Sequence, residues 1–122
     1  MGSTYKWSNG LSATISKPEP FNPSSSAFGA NEAKAFVKFT ITVVNGTPQV
    51  YEPSMFNITA QSGNTEAKFV ADTAKGIEGA PSTKLLPGRE AKFAYAFGVS
   101  DPKDLVLEVR PGFDYDGVLF VN

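Results

Sequence analysis

The run Ala35-Phe36-Val37-Lys38-Phe39-Thr40-Ile41-Thr42-Val43-Val44-Asn45-Gly46-Thr47 constrains the fold more than any other part of the chain. Ala35, Val37, Phe39, Ile41 and Val43 recur at a spacing of two, with Lys38, Thr40 and Thr42 between them. Successive side chains of an extended chain point to opposite faces. This spacing therefore gathers the apolar groups on one side and predicts a half-buried strand. Asn45-Gly46 follows, and because both residues tolerate positive φ the dipeptide predicts a tight turn.

The same period returns along the chain. Leu11, Ala13 and Ile15 alternate with Ser12, Thr14 and Ser16, and Phe56, Ile58 and Ala60 alternate with Asn57, Thr59 and Gln61. Further strands are expected over residues 66–71, 83–86, 89–99, 105–110 and 118–121. Asn9-Gly10, Ser62-Gly63-Asn64, Pro87-Gly88 and Pro111-Gly112 are turn signals, Pro presetting φ and Gly accepting φ > 0. In residues 89–99, Ala91, Phe93, Tyr95, Phe97 and Val99 share a face opposite Ala94, Ala96 and Gly98. Such small residues indicate that something packs close there or that the strand is central and flat. Residues 21–32 and 72–82, rich in Ser, Asn, Pro and Gly, read as loops. No window shows a helical period with caps. About eight or nine short strands, with turns roughly every 8 to 12 residues, predict an all-β chain: an immunoglobulin-like two-sheet antiparallel β-sandwich of Greek-key type.

Composition removes several functions. The chain has 122 residues, suited to one domain, and 41% of them are hydrophobic. Its net charge is -1, from 11 basic and 12 acidic residues, and the lysines stand singly. Phosphate neutralisation needs a basic patch, so a nucleic-acid partner is not expected. There is no cysteine and no histidine. Ser-His-Asp and Cys-His catalysis and thiolate or imidazole metal sites are thereby excluded, and no enzyme activity or cofactor is expected. No apolar run reaches the roughly 20 residues of a membrane helix. Met1-Gly2-Ser3 reads as a cloning remnant, leaving a domain over 4–122 from which a leader or upstream segment is expected to have been removed.

Gly10-Leu11-Ser12-Ala13-Thr14-Ile15, the run from Val37 to Thr47, Leu86-Pro87-Gly88-Arg89-Glu90-Ala91-Lys92-Phe93 and Phe97-Gly98-Val99 together resemble one known family. It is the immunoglobulin-like domain of unknown function found on exported bacterial proteins, notably actinobacterial lipoproteins, and similar to a secreted mycobacterial immunoprotective antigen. The resemblance runs from about Leu11 to Val121. It implies a sandwich at the bacterial cell surface or outside the cell, often tethered through an upstream lipidated cysteine. With no cysteine here, any such tether would lie in a removed leader. The resemblance supplies no active site.

Phe113-Asp114-Tyr115-Asp116-Gly117 is the main candidate site. Phe113 and Tyr115 could form an exposed contact patch for a protein or small ligand, or one of them could plug the end of the sandwich. Asp114 and Asp116 place two carboxylates before a glycine, a pattern calcium accepts but which lacks the remaining ligands of an EF-hand. The loops 21–32 and 72–82 are expected to share in recognition, because rigid sheets position end loops. Asn45-Gly46-Thr47 and Asn57-Ile58-Thr59 match the glycosylation sequon; in a bacterial chain the match reads as coincidence, and Asn45 has a turn role. Outward-facing lysines argue against a Lys–Asn isopeptide bond. The acidic residues Glu19, Asp101 and Asp104 fall in expected loops and suit turn and surface roles better than acid–base pairs. The expected function is a non-enzymatic, extracellular or cell-surface binding module. The alternative is a calcium- or small-ligand-binding domain centred on Asp114 and Asp116.

Overall fold

A computed structural model describes residues 1–29 and 33–122. Its strands are β1 (Ser3–Lys6), β2 (Leu11–Ile15), β3 (Glu19–Pro20), β4 (Ala35–Asn45), β5 (Asn57–Ser62), β6 (Thr65–Val70), β7 (Glu90–Val99), β8 (Leu105–Arg110) and β9 (Val118–Val121). Only two single-turn 3₁₀ segments, Pro53–Met55 and Thr73–Lys75, interrupt them among the described residues. All pairings are antiparallel, in the order β1-β2-β4-β7-β6-β5-β8-β9, with β3 also on β4. Strands β2-β4-β7-β6 facing β5-β8-β9 reproduce the ABED and CFG sheets of a constant-type immunoglobulin sandwich.

The period-two pattern decides what lies between the sheets. Val37, Phe39, Ile41 and Val43 of β4 meet Leu11, Ala13 and Ile15 of β2 and, from the opposite sheet, Ile58, Leu105, Leu107 and Val109. Burying each larger side chain is worth about 1.5–3 kcal/mol. Strand β6 breaks the period: Ala67 and Val70 are buried at a spacing of three. The reason is a change of sheet. Residues 65–67 pair with β5 and residues 68–70 with β7, so Ala67 faces the main core while Val70 faces the other side of β7.

That other side carries a second, smaller core. Val70, Ile77 and Ala96 are buried there, with Phe21, Ala27, Phe36 and Ala94 against them. The small residues Ala94 and Ala96 leave the depth that a covering layer needs. Segments 21–29 and 71–77 supply it, joined by the Phe28–Ala71 bridge and by Asp72. Loops 21–32 and 72–82, expected to act in recognition, thus also serve to cover β7 through Phe21, Ala27 and Ile77, while Phe28 stays 80% exposed. Residues 30–32 lie outside the described residues.

Two local expectations also change. Residues 83–86 form no strand; Leu85 makes a single bridge to Tyr51. Asn45-Gly46 is not a hairpin turn, because the chain leaves β4 for the opposite sheet and Gly46 is not among the glycines with positive φ. Asn45 is instead 0% exposed. Its Nδ2 donates to the carbonyls of Gln49 and Leu85, and its Oδ1 accepts from the Thr47 backbone N–H and hydroxyl. Two donors and two acceptors are all used, so the buried amide leaves no polar group unpaired. Gly46 lies against Gly10, where a Cβ on either would collide with the carbonyl oxygen of the other. The glycines serve backbone contact here. By contrast, Gly63 and Gly88 have positive φ in the turns expected for them.

At the chain's start, the Gly2 N–H donates to the Ile15 carbonyl and the terminal amine of Met1 to the Val121 carbonyl, 2.9 Å away. A single bond therefore ties the start of the chain to β9, at the edge of the opposite sheet.

Candidate binding end of the sandwich

Loops 7–10, 46–56 and 111–117 come together at one end, because β2 begins opposite the end of β4 and β5 begins opposite the end of β8. Trp7 is buried and its Nε1 donates to the Asp116 carbonyl at 3.1 Å. Arg110 Nη1 donates to the Tyr115 carbonyl at 2.8 Å. The Tyr115 N–H closes a turn onto the Gly112 carbonyl. These bonds hold loop 111–117 by its backbone and lift residues 113 and 114 to its tip.

The candidate residues divide between two roles. Tyr115 is half-buried, with its ring edge-on to Trp7 at 5.8 Å and to Tyr51 at 6.3 Å, and its hydroxyl accepts from Asn9 Nδ2 at 2.9 Å. It plugs the end of the sandwich. Phe113 is 87% exposed and touches none of the buried aromatic rings at stacking distance. Beside it lies a shallow cleft of about 260 Å³ lined by Val50, Tyr51, Glu52, Met55, Asp114 and Tyr115, among others. Val50 and Met55 are themselves exposed. An apolar side chain held out by a pinned loop beside a cleft is a surface that excludes water only when something covers it.

Tyr51 forms the floor. Its hydroxyl donates to the Pro111 carbonyl at 2.7 Å. Burial, with the neighbouring phenols of Tyr115 and Tyr95 adding to it, pushes its pKa far above the ordinary tyrosine range, so it stays neutral and acts as a strut. Tyr95, deeper in the sandwich, is likewise raised by burial, against a lowering hydrogen bond with the Ala80 backbone.

Asp114 and Asp116 are both exposed, and neither carboxylate joins a hydrogen bond or ion pair among the described residues. The described residues hold no group of three or more acidic side chains that could share a metal ion. Asn57 of the second sequon is exposed on β5. Sequence reasoning missed Asn9, Val50 and Met55 at this end. Asn9 carried only its turn signal, and Val50 and Met55 sit in a segment without periodicity.

No family profile matches the chain, and no curated protein matches it. Solved structures do. A candidate lipoprotein of Bacillus subtilis is similar at a TM-score of 0.75 and 16% identity, over 96% of this chain and 37% of its own. An uncharacterised β-sandwich protein of Clostridium difficile is similar at a TM-score of 0.59 and 15% identity, over 99% of this chain and 90% of its own. The fold is thus an all-β sandwich shared with bacterial proteins. The chain spans little more than a third of the Bacillus protein's length. Among the described residues no helix is long and apolar enough to cross a membrane.

Proposed function

We propose that this domain is a non-enzymatic binding module, exposed at the bacterial cell surface or outside the cell, that engages a protein or small ligand through the end bearing Phe113. The observation that carries the reading is Phe113 itself, 87% exposed at the tip of a loop whose backbone is tied to Trp7 and Arg110. A rigidly presented aromatic loses little conformational entropy on binding, which is why such side chains dominate contact energies. The fold adds an analogy. Loops 46–56 and 111–117 correspond to the B–C and F–G loops, two of the three that bind antigen in immunoglobulin variable domains. The surface location rests on the likeness to a candidate lipoprotein and on the resemblance to exported actinobacterial domains.

The reading is tested by amide chemical-shift mapping against panels of cell-surface polymers and peptides, with wild-type and Phe113→Ala protein. Support is a ligand whose shifts cluster at residues 49–55 and 111–115 and vanish in the variant. Ligands that shift only residues elsewhere, or that bind the variant equally well, would refute it.

A further inference from the structure

Two Asn-Gly dipeptides lie against each other in this molecule, and the fold treats their asparagines differently. Asn45 is fully buried with every polar atom paired. Asn9 is exposed at the tip of the β1–β2 hairpin, where its Oδ1 accepts from the Leu11 N–H at 3.2 Å and its Nδ2 reaches only the Tyr115 hydroxyl. We propose that Asn9 is a site of spontaneous covalent modification, deamidation through a succinimide, and that the fold shields Asn45 from the same reaction. The proposal does not depend on what the sandwich end binds.

The chemistry needs only water. The Gly10 backbone nitrogen, losing its proton to solvent base, attacks Cγ of Asn9. The N–Cγ bond forms, the Cγ–Nδ2 bond breaks, and Nδ2 leaves as ammonia after taking up a proton. Water then opens the five-membered imide at either carbonyl. Opening at Cγ gives aspartate. Opening at the main-chain carbonyl gives isoaspartate, whose backbone runs through the former side chain. The sum is asparagine plus water giving aspartate or isoaspartate plus ammonia.

A glycine next in sequence leaves the attacking nitrogen unhindered, since it carries no side chain. This chain cannot escape that vulnerability by changing residue 10. Gly10 has φ of 107°, and a Cβ there would collide with the Gly46 carbonyl. What restrains the reaction is local: the Gly10 N–H donates to the Trp7 carbonyl at 3.0 Å, and the Tyr115 hydroxyl holds Nδ2. Both are released when one exposed hairpin tip opens, a far cheaper event than freeing Asn45 from the core. Aspartate at residue 9 would keep an acceptor for Leu11 and receive the Tyr115 hydroxyl proton in place of donating to it. Isoaspartate lengthens the backbone and breaks the Gly10–Gly46 contact, and with it the seat of Tyr115. The product would therefore alter the end that presents Phe113.

The test is incubation of the folded protein at mildly alkaline pH, followed by peptide mass mapping that separates aspartate from isoaspartate. Residue 9 is expected to convert, with Asn45 slower by about a hundredfold or more because it reacts only through opening of a core strand. In strong denaturant the two should convert at comparable rates. Equal rates at residues 9 and 45 in the folded protein would overturn the proposal, as would protection of Asn9 as complete as that of Asn45. Tyr115→Phe, checked to be folded by its melt, should speed conversion at residue 9 severalfold. An unchanged rate there would show that the Tyr115 hydroxyl does not restrain Asn9.

Discussion

Residues 72–77, the start of the long connection from β6 to β7, and residues 111–117, the whole connection from β8 to β9, each carry an acidic residue, a glycine and a large apolar side chain, yet one lies on a sheet and the other stands off it. In the first, Ile77 drops into the second core between Val70 and Ala96. Asp72 is buried beside it, accepting from the Ser24 N–H and hydroxyl at 2.6 Å each. In the second, the backbone carbonyls of Tyr115 and Asp116 take the anchoring bonds, and Phe113 has no apolar seat. The large apolar side chains of the two segments thus part according to what their neighbours offer. The alanines on the outer face of β7 make room for an aliphatic side chain, and no such recess lies under residue 113.

The largest effect is expected from Ile77→Ala, which empties the second core. Truncating a fully buried isoleucine costs about 2–5 kcal/mol, so the denaturation midpoint should fall clearly. A cost near zero would mean that the covering segments contribute nothing to the fold and that the contrast with loop 111–117 is false.

Asp72 sharpens the same contrast through pH. Burial acts to raise its carboxyl, but the side-chain and backbone hydrogen bonds from Ser24, with the charge of Lys75 behind them, outweigh it and hold it below the ordinary value of 3.8. A carboxyl depressed in the folded state stabilises fully above its unfolded value and loses that contribution as pH falls through its folded value. Wild type should therefore lose stability below about pH 4, where unfolded carboxyls begin to protonate. Asp72→Asn should be less stable at neutral pH and show a flatter acid limb. Parallel acid limbs for the two proteins would contradict the assignment.

Smaller effects are expected at the other loop. Tyr115→Phe should cost about 0.5–1.5 kcal/mol, the worth of one hydrogen bond, read from urea denaturation. Phe113→Ala should change stability by no more than about 0.5 kcal/mol, because an exposed side chain has no packing to lose. A cooperative melt lost in Phe113→Ala would place that ring in the core. The smallest effect is that of calcium. With only two exposed carboxylates brought together by Asp114 and Asp116, excess calcium is expected to leave the melting midpoint unmoved, whereas a native-state ligand at a hundred times its Kd would add about 2.7 kcal/mol. A raised midpoint would revive the calcium reading of this loop.

Much of the sandwich was legible in the chain because period-two alternation is a local property of extended backbone. Residues 37–43, 11–15 and 105–109 take the faces that their spacing predicts. The turns at Gly63 and Gly88 follow from local backbone preference in the same way. What failed were inferences that needed a partner distant in sequence. Asn45-Gly46 looked like a hairpin, but its amide is claimed by Gln49 and Leu85 and its glycine by Gly10. At the candidate site, the choice of loop 111–117 was within reach of sequence. The division of labour between Phe113 and Tyr115 was not, since it depends on Trp7, Asn9 and Tyr51, more than sixty residues away.

The amino-acid order alone determined that this chain is a β protein with a core of Phe, Val, Ile and Leu, without thiol or imidazole chemistry. Side-chain alternation and residue type are carried by each short segment independently of the rest. Only the tertiary structure decided which loops became structure and which surface was left bare. Whether a loop is covered depends on the shape and unspent hydrogen bonds of whatever the fold brings beside it: Ser24 beside Asp72, Ala96 beneath Ile77, and only a shallow cleft beside Phe113.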